Sequence, residues 1–165
     1  MDLVAMHTPA GIIEIGVDGG SLVSLLFVDE SDAPPEDPPD DPSGILERLR
    51  AYFAGNLAAV AEIPVRFDRG TVFQREVWTA LQDIPVGETI SYAELARRVG
   101  RPQAFRAVGS ANGQNPIGIV VPCHRVIAAD GTLGGYAGGL DRKRWLLAHE
   151  GAMPAHEQTV PGLLV

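Results

Sequence analysis

The sequence predicts an α+β protein in which an antiparallel sheet comes first and helices follow. Three short apolar runs rich in β-branched residues open the chain, which is typical of an antiparallel meander. These runs occupy residues 3–7, 12–17 and 22–28. Apolar residues then recur at helical spacing in capped segments of the second half. A last apolar run, residues 118–121, leads into Cys123 and predicts a short buried strand that presents a thiol.

Composition places the chain among ordinary globular proteins. It has 165 residues, enough for one domain or two small ones, with 45% apolar and 21% charged residues. No apolar run approaches the ~18 residues of a membrane helix, and Met1–His7 lacks the features of a secretion signal. A single cysteine excludes an internal disulfide and a thiolate-rich zinc site. We therefore expect a cytoplasmic protein with no bound metal or cofactor and no membrane contact.

The net charge of −8 is unevenly distributed along the chain. Residues 1–70 carry four arginines against thirteen acidic residues, whereas residues 91–144 carry eight basic residues against three acidic ones. A basic segment within an acidic chain is a candidate phosphate-binding face. Charge alone favours an ordinary solvated surface, so a nucleic-acid partner needs support from motifs.

The first half predicts a small α/β unit with no catalytic signature. Turn residues separate the three apolar runs, and an acidic, proline-rich segment at 29–44 predicts an exposed loop that packs no core. Ser43 is the candidate cap of a helix that Gly55 ends. Ile63–Phe67 is a further strand candidate. We place the boundary of this unit at residue 68, so that the domains are 1–68 and 69–165.

The second half predicts three or more helices. Thr71 caps a helix whose apolar face ends near Ile84, and Ser91 caps the next, with Glu94 completing a capping box. A helix of small residues over about 103–112 follows a tight turn. Two short helices joined in this way fit a helix-turn-helix, whose second helix enters a DNA groove, although many such pairs are only structural.

Cys123 stands beside His124 and Arg125, which supply a base and a positive charge. A thiol is a nucleophile only as thiolate, so such neighbours favour a reactive cysteine over an inert buried one. Successive side chains of a regular strand point to opposite faces. Cys123 and His124 can therefore cooperate only through an irregular backbone near Pro122 or through a water.

The last segment holds a glycine-rich loop and a helix. Residues 131–139 contain several glycines around Tyr136, which suits a close approach of a ligand to main-chain N–H groups. A helix starting at Asp141 is ended by Gly151. Glu150 lies in its last turn, where the helix dipole disfavours a carboxylate, so we expect a specific partner for it. The tail, 152–165, is expected to be loosely ordered.

These segments together resemble the O6-alkylguanine-DNA alkyltransferase family. The resemblance covers about half of the chain, in the family's order. Its motifs are F-Q-R-E-V-W (73–78), I-P-V-G-E-T-I-S-Y-A-E-L-A (84–96), R-A-V-G-S-A-N-G-Q-N-P (106–116), V-P-C-H-R-V-I (121–127), G-Y-A-G-G (135–139) and L-L-A-H-E-G (146–151). The family implies a ribonuclease-H-like N-terminal domain with an antiparallel sheet. It also implies a mainly helical C-terminal domain with a helix-turn-helix and an active-site cysteine strand.

The resemblance implies catalytic roles for five residues. Cys123 would be the acceptor thiolate, His124 a base acting through a water, and Glu150 the group that orients that histidine. Asn115 would tie the recognition helix to the cysteine segment. Tyr92 would donate to the guanine as negative charge develops on it.

It also implies a DNA interface and a base pocket. Arg106 would enter the base stack in place of the flipped nucleotide. The other DNA-binding candidates are Ala107, Gly109, Ser91 and Arg125, and the candidate pocket residues are Tyr136, Ala137, Val126 and Gly138. The carbonyl oxygens of Cys123 and Val126 would hold the exocyclic amine. Ala137 stands where some relatives have a serine, which removes one hydroxyl from the pocket.

The implied function is direct repair of double-stranded DNA carrying O6-alkylguanine, with O4-alkylthymine as a further substrate left open. One alkyl group would pass to Cys123 per molecule, since no residue is suited to cleave the thioether. A monomer is expected, with cooperative binding on DNA left open. Two alternatives use the same residues: a turning-over cysteine hydrolase, and a lesion sensor or helix-turn-helix regulator without transfer.

Overall fold

A three-stranded antiparallel sheet in the order β1–β2–β3 forms the first part of the fold, as predicted. The computed structural model describes residues 2–36 and 41–153. The strands are β1 (Asp2–Thr8), β2 (Gly11–Asp18) and β3 (Ser21–Phe27). Gly19 and Gly20 both have positive φ (59° and 83°), the conformation that lets a two-residue hairpin follow the twist of its strands.

The outer edge of β3 is covered by two irregular segments rather than by strands. Leu22 N donates to Pro64 O (2.8 Å) and Leu25 N to Pro116 O (3.0 Å). The prediction of a strand at Ile63–Phe67 is therefore wrong: only Val65 forms a bridge, to Leu22, and Pro64 has no N–H to extend the ladder.

Helix α1 (Ile45–Phe53) packs its apolar face inward, burying Ile45, Leu46, Leu49 and Tyr52. Gly44 occupies the N-cap position instead of Ser43, although the Ser43 hydroxyl still accepts from Ile45 N at 3.4 Å. Asp41 also accepts from the main-chain N–H of Glu47 at 3.1 Å. Gly55, with φ of 112°, follows the end of the helix as predicted.

The acidic loop is partly tied to the sheet. Ala5 N of β1 donates to Pro35 O at 2.9 Å, and Glu36 forms an ion pair with His7. A short 3-10 helix at Glu30–Asp32 buries no residue, in line with the expectation that this acidic segment adds nothing to the core. Residues 37–40 of the loop lie outside the described part of the chain.

In the described residues after 68, four α-helices and a small parallel sheet build the second part. They are α2 (Val72–Leu81), α3 (Tyr92–Arg98), α4 (Phe105–Gly113) and α5 (Leu140–His149), with β4 (Ile90–Ser91) paired to β5 (Val126–Ile127). Thr71 caps α2 in a reciprocal capping box with Gln74. Ser91 accepts from Glu94 N at 3.0 Å as predicted, but the Glu94 carboxylate pairs with Arg97 and Arg98 instead of completing the box.

The hydrophobic core runs across residue 68, the predicted domain boundary. A single cluster of buried side chains joins β2 and α1 to α2, α4 and α5. Trp78 adds a directed contact, since its Nε1–H donates to Ala111 O at 2.8 Å and fixes α2 against α4. The division into 1–68 and 69–165 and the ribonuclease-H-like arrangement stay predictions.

In the described ranges no helix is long and apolar enough to cross a membrane. The tail predicted to be loosely ordered, 152–165, lies outside those ranges apart from Ala152 and Met153.

Candidate active site

Cys123 lies in a short 3-10 helix, Cys123–Arg125, and not on a strand. The apolar run before it forms a turn, because Val121 N bonds back to Ile117 O (3.1 Å) and Cys123 N to Val121 O (2.8 Å). The predicted cysteine strand is therefore wrong. The irregular backbone expected at Pro122 is present, and it removes the strand alternation that would separate Cys123 from His124. Both residues are buried.

His124 is a neutral imidazole held by a carboxylate. Its Nε2 lies 2.8 Å from Glu150 Oε2, and no described residue bonds to its Nδ1. A carboxylate only accepts, so Nε2 carries the proton and Nδ1 keeps a free lone pair. Burial lowers the pKa of His124 against the opposing pull of Glu150. The imidazole is thus neutral at pH 7 and can take up a proton at Nδ1.

Glu150 follows α5 as its C-cap residue, and donors converge on it. Arg125 Nε binds Oε1 (2.8 Å), while Arg125 Nη2 and the Tyr52 hydroxyl bind Oε2 (3.0 and 2.6 Å). Burial alone would raise the pKa of Glu150, but hydrogen bonds from His124 and Arg125 and the positive charge of Arg125 hold it well below its usual range. The expectation of a specific partner is confirmed, since these donors offset the unfavourable helix dipole.

The prediction that Arg125 contacts DNA is wrong. Its side chain is buried, and its Nη1 donates to the carbonyl oxygen of Ile84 at 2.6 Å. Its side-chain hydrogen bonds go to Glu150 and to Ile84 O inside the protein, so the guanidinium holds Glu150 rather than a phosphate.

The thiol of Cys123 is protonated at rest. Burial raises its pKa, whereas a hydrogen bond from Asn115 and the charge of Lys143 act to lower it. Asn115 follows α4 and donates to Val121 O at 2.7 Å, so it joins the end of this helix to the turn before the cysteine. The link between recognition helix and cysteine segment that Asn115 was expected to make is therefore present.

Lys143 is a charged residue of the site that sequence reasoning missed. Its Nζ donates to three carbonyl oxygens, those of Val126 (2.6 Å), Leu133 (2.5 Å) and Gly135 (2.9 Å). Burial lowers its pKa to about 8. Lys143 shares a helical face with the buried Leu146, Leu147 and Glu150, a signal that could have marked it as buried.

A cavity of about 470 Å³ opens between α4 and the glycine-rich loop. Four predicted residues line it, together with Phe105 and Asn112; the four are Tyr92, Gly109, Tyr136 and Ala137. Two other predicted pocket residues, Val126 and Gly138, are not part of its lining. A Cβ on Gly138 would lie within 3 Å of the Phe27 and Tyr136 rings, so this glycine serves close packing.

Tyr92 is held between helix and loop. Its hydroxyl accepts from Gly135 N at 3.3 Å, and Gly109 lies against its ring, where a Cβ would be 3.5 Å away. Burial raises the pKa of Tyr92, so the hydroxyl stays protonated and able to donate. Asn112 connects this cavity to the cysteine, since its Nδ2 donates to the carbonyl oxygen of Cys123 at 3.4 Å.

The other predicted DNA contacts lie at the surface of α4. Arg106 and Ala107 are exposed, and the Arg106 guanidinium is 6.0 Å from the centroid of the exposed Phe105 ring. Ser91 is half-buried, and its hydroxyl serves as the α3 cap.

Fold and site together place a buried cysteine next in sequence to the histidine of a His–Glu pair, and Asn112 joins this segment to a cavity at a helix of small residues. The family model "6-O-methylguanine DNA methyltransferase, DNA binding domain" matches residues 72–152. A relative from Mycolicibacterium paratuberculosis, named methylated-DNA–protein-cysteine methyltransferase, is 51% identical over 150 residues, covering 88% of this chain and 89% of that protein. The chain belongs to the methylated-DNA–protein-cysteine methyltransferase family.

Two further comparisons agree with this family. A Shigella flexneri protein of the same name is 58% identical over 111 residues, and this match spans 67% of the chain and 64% of that protein, which is less than two thirds of its length. The crystal structure of Mycobacterium tuberculosis OGT in complex with DNA has a TM-score of 0.78 and 46% identity, covering 93% of this chain and 95% of that one.

Proposed function

We propose that this protein repairs alkylated DNA by moving one alkyl group from O6 of guanine to Sγ of Cys123. The observation that carries the proposal is the buried His124 imidazole, the next residue after Cys123, which is neutral, fixed through Nε2 by Glu150, and without a described partner at Nδ1. Such an imidazole is a general base for a neighbouring thiol. Family membership supports the same reaction.

The reaction balances with the groups present. His124 Nδ1 takes the thiol proton through a water, and the thiolate attacks the sp³ carbon bound to O6. As the carbon–oxygen bond breaks, its electron pair goes to the guanine, and Tyr92 donates to the developing negative charge. The proton from the thiol ends on the guanine that has lost its alkyl group. The product is a stable thioether, so each molecule acts once.

The DNA side of the proposal rests on α3 and α4. Their short connection and the small residues of α4 suit a helix-turn-helix, with α4 in a groove. Arg106 and Ala107 are exposed on α4, and Arg106 would fill the stack when the target nucleotide turns into the cavity. We propose double-stranded DNA with alkylated bases as the partner, a monomer as the acting form, and the cytoplasm as its location.

Intact-mass measurement after incubation with duplex DNA carrying one O6-methylguanine tests this function. We expect a gain of one methylene per molecule, located on Cys123, and no gain in Cys123→Ala. Unmodified duplex is the control substrate. Lesion binding without any mass gain would contradict transfer and favour a sensor.

A further inference from the structure

Asn112 is a buried polar residue of the cavity whose side chain is only half satisfied. It is 3% exposed and lines the cavity from α4. Its Nδ2 donates to the carbonyl oxygen of Cys123 at 3.4 Å. Among the residues the structure describes, none donates to its Oδ1. A buried acceptor without a donor is costly, and a ligand that supplies the donor recovers that cost.

The orientation of this amide is set by its neighbour. The Cys123 carbonyl can only accept, so the NH₂ group of Asn112 must face it and Oδ1 must face away. The two carbonyls expected to hold the exocyclic amine already have donors. Cys123 O accepts from Val126 N besides Asn112, and Val126 O accepts from Lys143 Nζ at 2.6 Å. Asn112 Oδ1, by contrast, is an acceptor to which no described residue donates.

The chemistry of the alkylated bases identifies what this oxygen can recognise. O6-alkylguanine has no N1–H, so its 2-amino group is the only hydrogen-bond donor on the base. O4-alkylthymine has no N3–H and no exocyclic amine, so its base offers no donor at all. An open acceptor in the pocket therefore pairs with the guanine lesion and is left unpaired by the thymine lesion.

We propose that Asn112 Oδ1 accepts a hydrogen bond from the 2-amino group of the flipped base, and that this contact selects O6-alkylguanine over O4-alkylthymine. The inference rests on the proposed alkyl transfer and adds a specificity residue to it. Recognition of a flipped base through hydrogen bonds to its edge is the general means by which such pockets discriminate.

Removing one amino group from the substrate tests the contact without changing the protein. O6-methylhypoxanthine is O6-methylguanine without its 2-amino group. We expect wild-type protein to transfer from O6-methylguanine about 10- to 100-fold faster than from O6-methylhypoxanthine in the same duplex, the range expected when a buried acceptor loses its donor. Equal rates on the two bases would overturn the proposal.

Variants then assign the discrimination to Asn112. Asn112→Leu keeps the branched shape and removes both the oxygen and the NH₂ group, so the ratio between the two purines should fall toward one, and the preference over O4-methylthymine should shrink with it. Ser110→Ala, at an exposed position of the same helix, should keep the wild-type ratios. Asn112→Ala replaces the leucine variant if circular dichroism shows that the latter is unfolded.

The possible results distinguish a failure of this inference from a failure of the proposed function on which it rests. If wild-type protein transfers nothing from O6-methylguanine, the proposed function fails. If transfer occurs and the purine ratio persists in folded Asn112 variants, only the assignment to Asn112 fails, and the main-chain carbonyls make the discrimination.

Discussion

His124 makes the stability of this protein depend on pH. Burial lowers the pKa of this side chain below its usual 6.5. Between the two pKa values the unfolded chain binds a proton that the folded protein does not. Stability contributed by the neutral imidazole is therefore present above pH 6.5 and is lost as pH falls below it.

We expect the free energy of unfolding to decrease as pH falls below 6.5, by up to about 1.4 kcal/mol per pH unit on account of His124. Urea titrations at several pH values measure this slope. His124→Gln, which cannot titrate, should show a shallower slope in the same window. Equal slopes in the two proteins would contradict a buried neutral imidazole.

Lys143 shows how one buried charge can organise a site without any motif. Three carbonyl oxygens from separate segments bind its Nζ, so the ammonium joins β5 to the glycine-rich loop. Its charge also lowers the pKa of the Cys123 thiol, against the effect of burial. The same side chain therefore positions the cavity wall and favours the thiolate.

At the scale of the structural element, the glycine-rich loop holds Tyr92 in position. Gly134 has a φ of +71°, and a Cβ there would lie 2.6 Å from Tyr92 Oη, too close for the ring to stay in place. Gly131 has a similar φ of +88° with no atom within 4 Å of a Cβ. A side chain at either glycine would strain the backbone, but only a side chain at Gly134 would also collide with Tyr92.

We expect Gly134→Ala to slow alkyl transfer by roughly ten-fold or more, because a displaced donor no longer meets the leaving base. Gly131→Ala should lose about 1 kcal/mol of stability, as expected for a side chain in a left-handed conformation, with near-normal transfer. Single-turnover rates and urea titrations measure the two effects. Equal transfer rates in the two variants would show that the loop does not act through Tyr92.

At the scale of the whole molecule, the two halves of the chain meet at the buried carboxylate of Glu150. Tyr52, from α1, donates to Glu150 Oε2 at 2.6 Å, and the same oxygen binds His124 Nε2. Burial and the nearby Glu150 raise the pKa of Tyr52, so it remains a donor. The N-terminal half is therefore part of the network that orients the base.

We expect Tyr52→Phe to destabilise the protein by about 1–2 kcal/mol, since a buried hydrogen bond to a charged group is lost while Glu150 keeps its bonds from Arg125 and His124. The pH profile of transfer should shift toward higher pH, because a carboxylate with one donor fewer makes His124 more basic. Phe53→Leu, which alters the ring packed edge-on against Tyr52, is the packing control. An unshifted profile in Tyr52→Phe would contradict the electrostatic link.

Local signals in the sequence determined much of this protein. The three strands, the Thr71 cap and the helices of the second half follow from periodicity and capping residues, which act within a few positions of one another. Cys123, His124 and Glu150 were selected as candidate site residues because of a motif and because a carboxylate stands against the helix dipole. Family membership rests on the same short segments.

Only the tertiary structure decided which hydrogen bonds and ion pairs join those residues. It placed Cys123 in a 3-10 turn, turned Arg125 inward, and brought Tyr52 and Lys143 to the site. Tyr52 and Glu150 are 98 positions apart, and Arg125 and Glu150 are 25 apart. No periodicity or cap encodes such pairs, because they depend on how whole elements pack and on which buried charges then find donors.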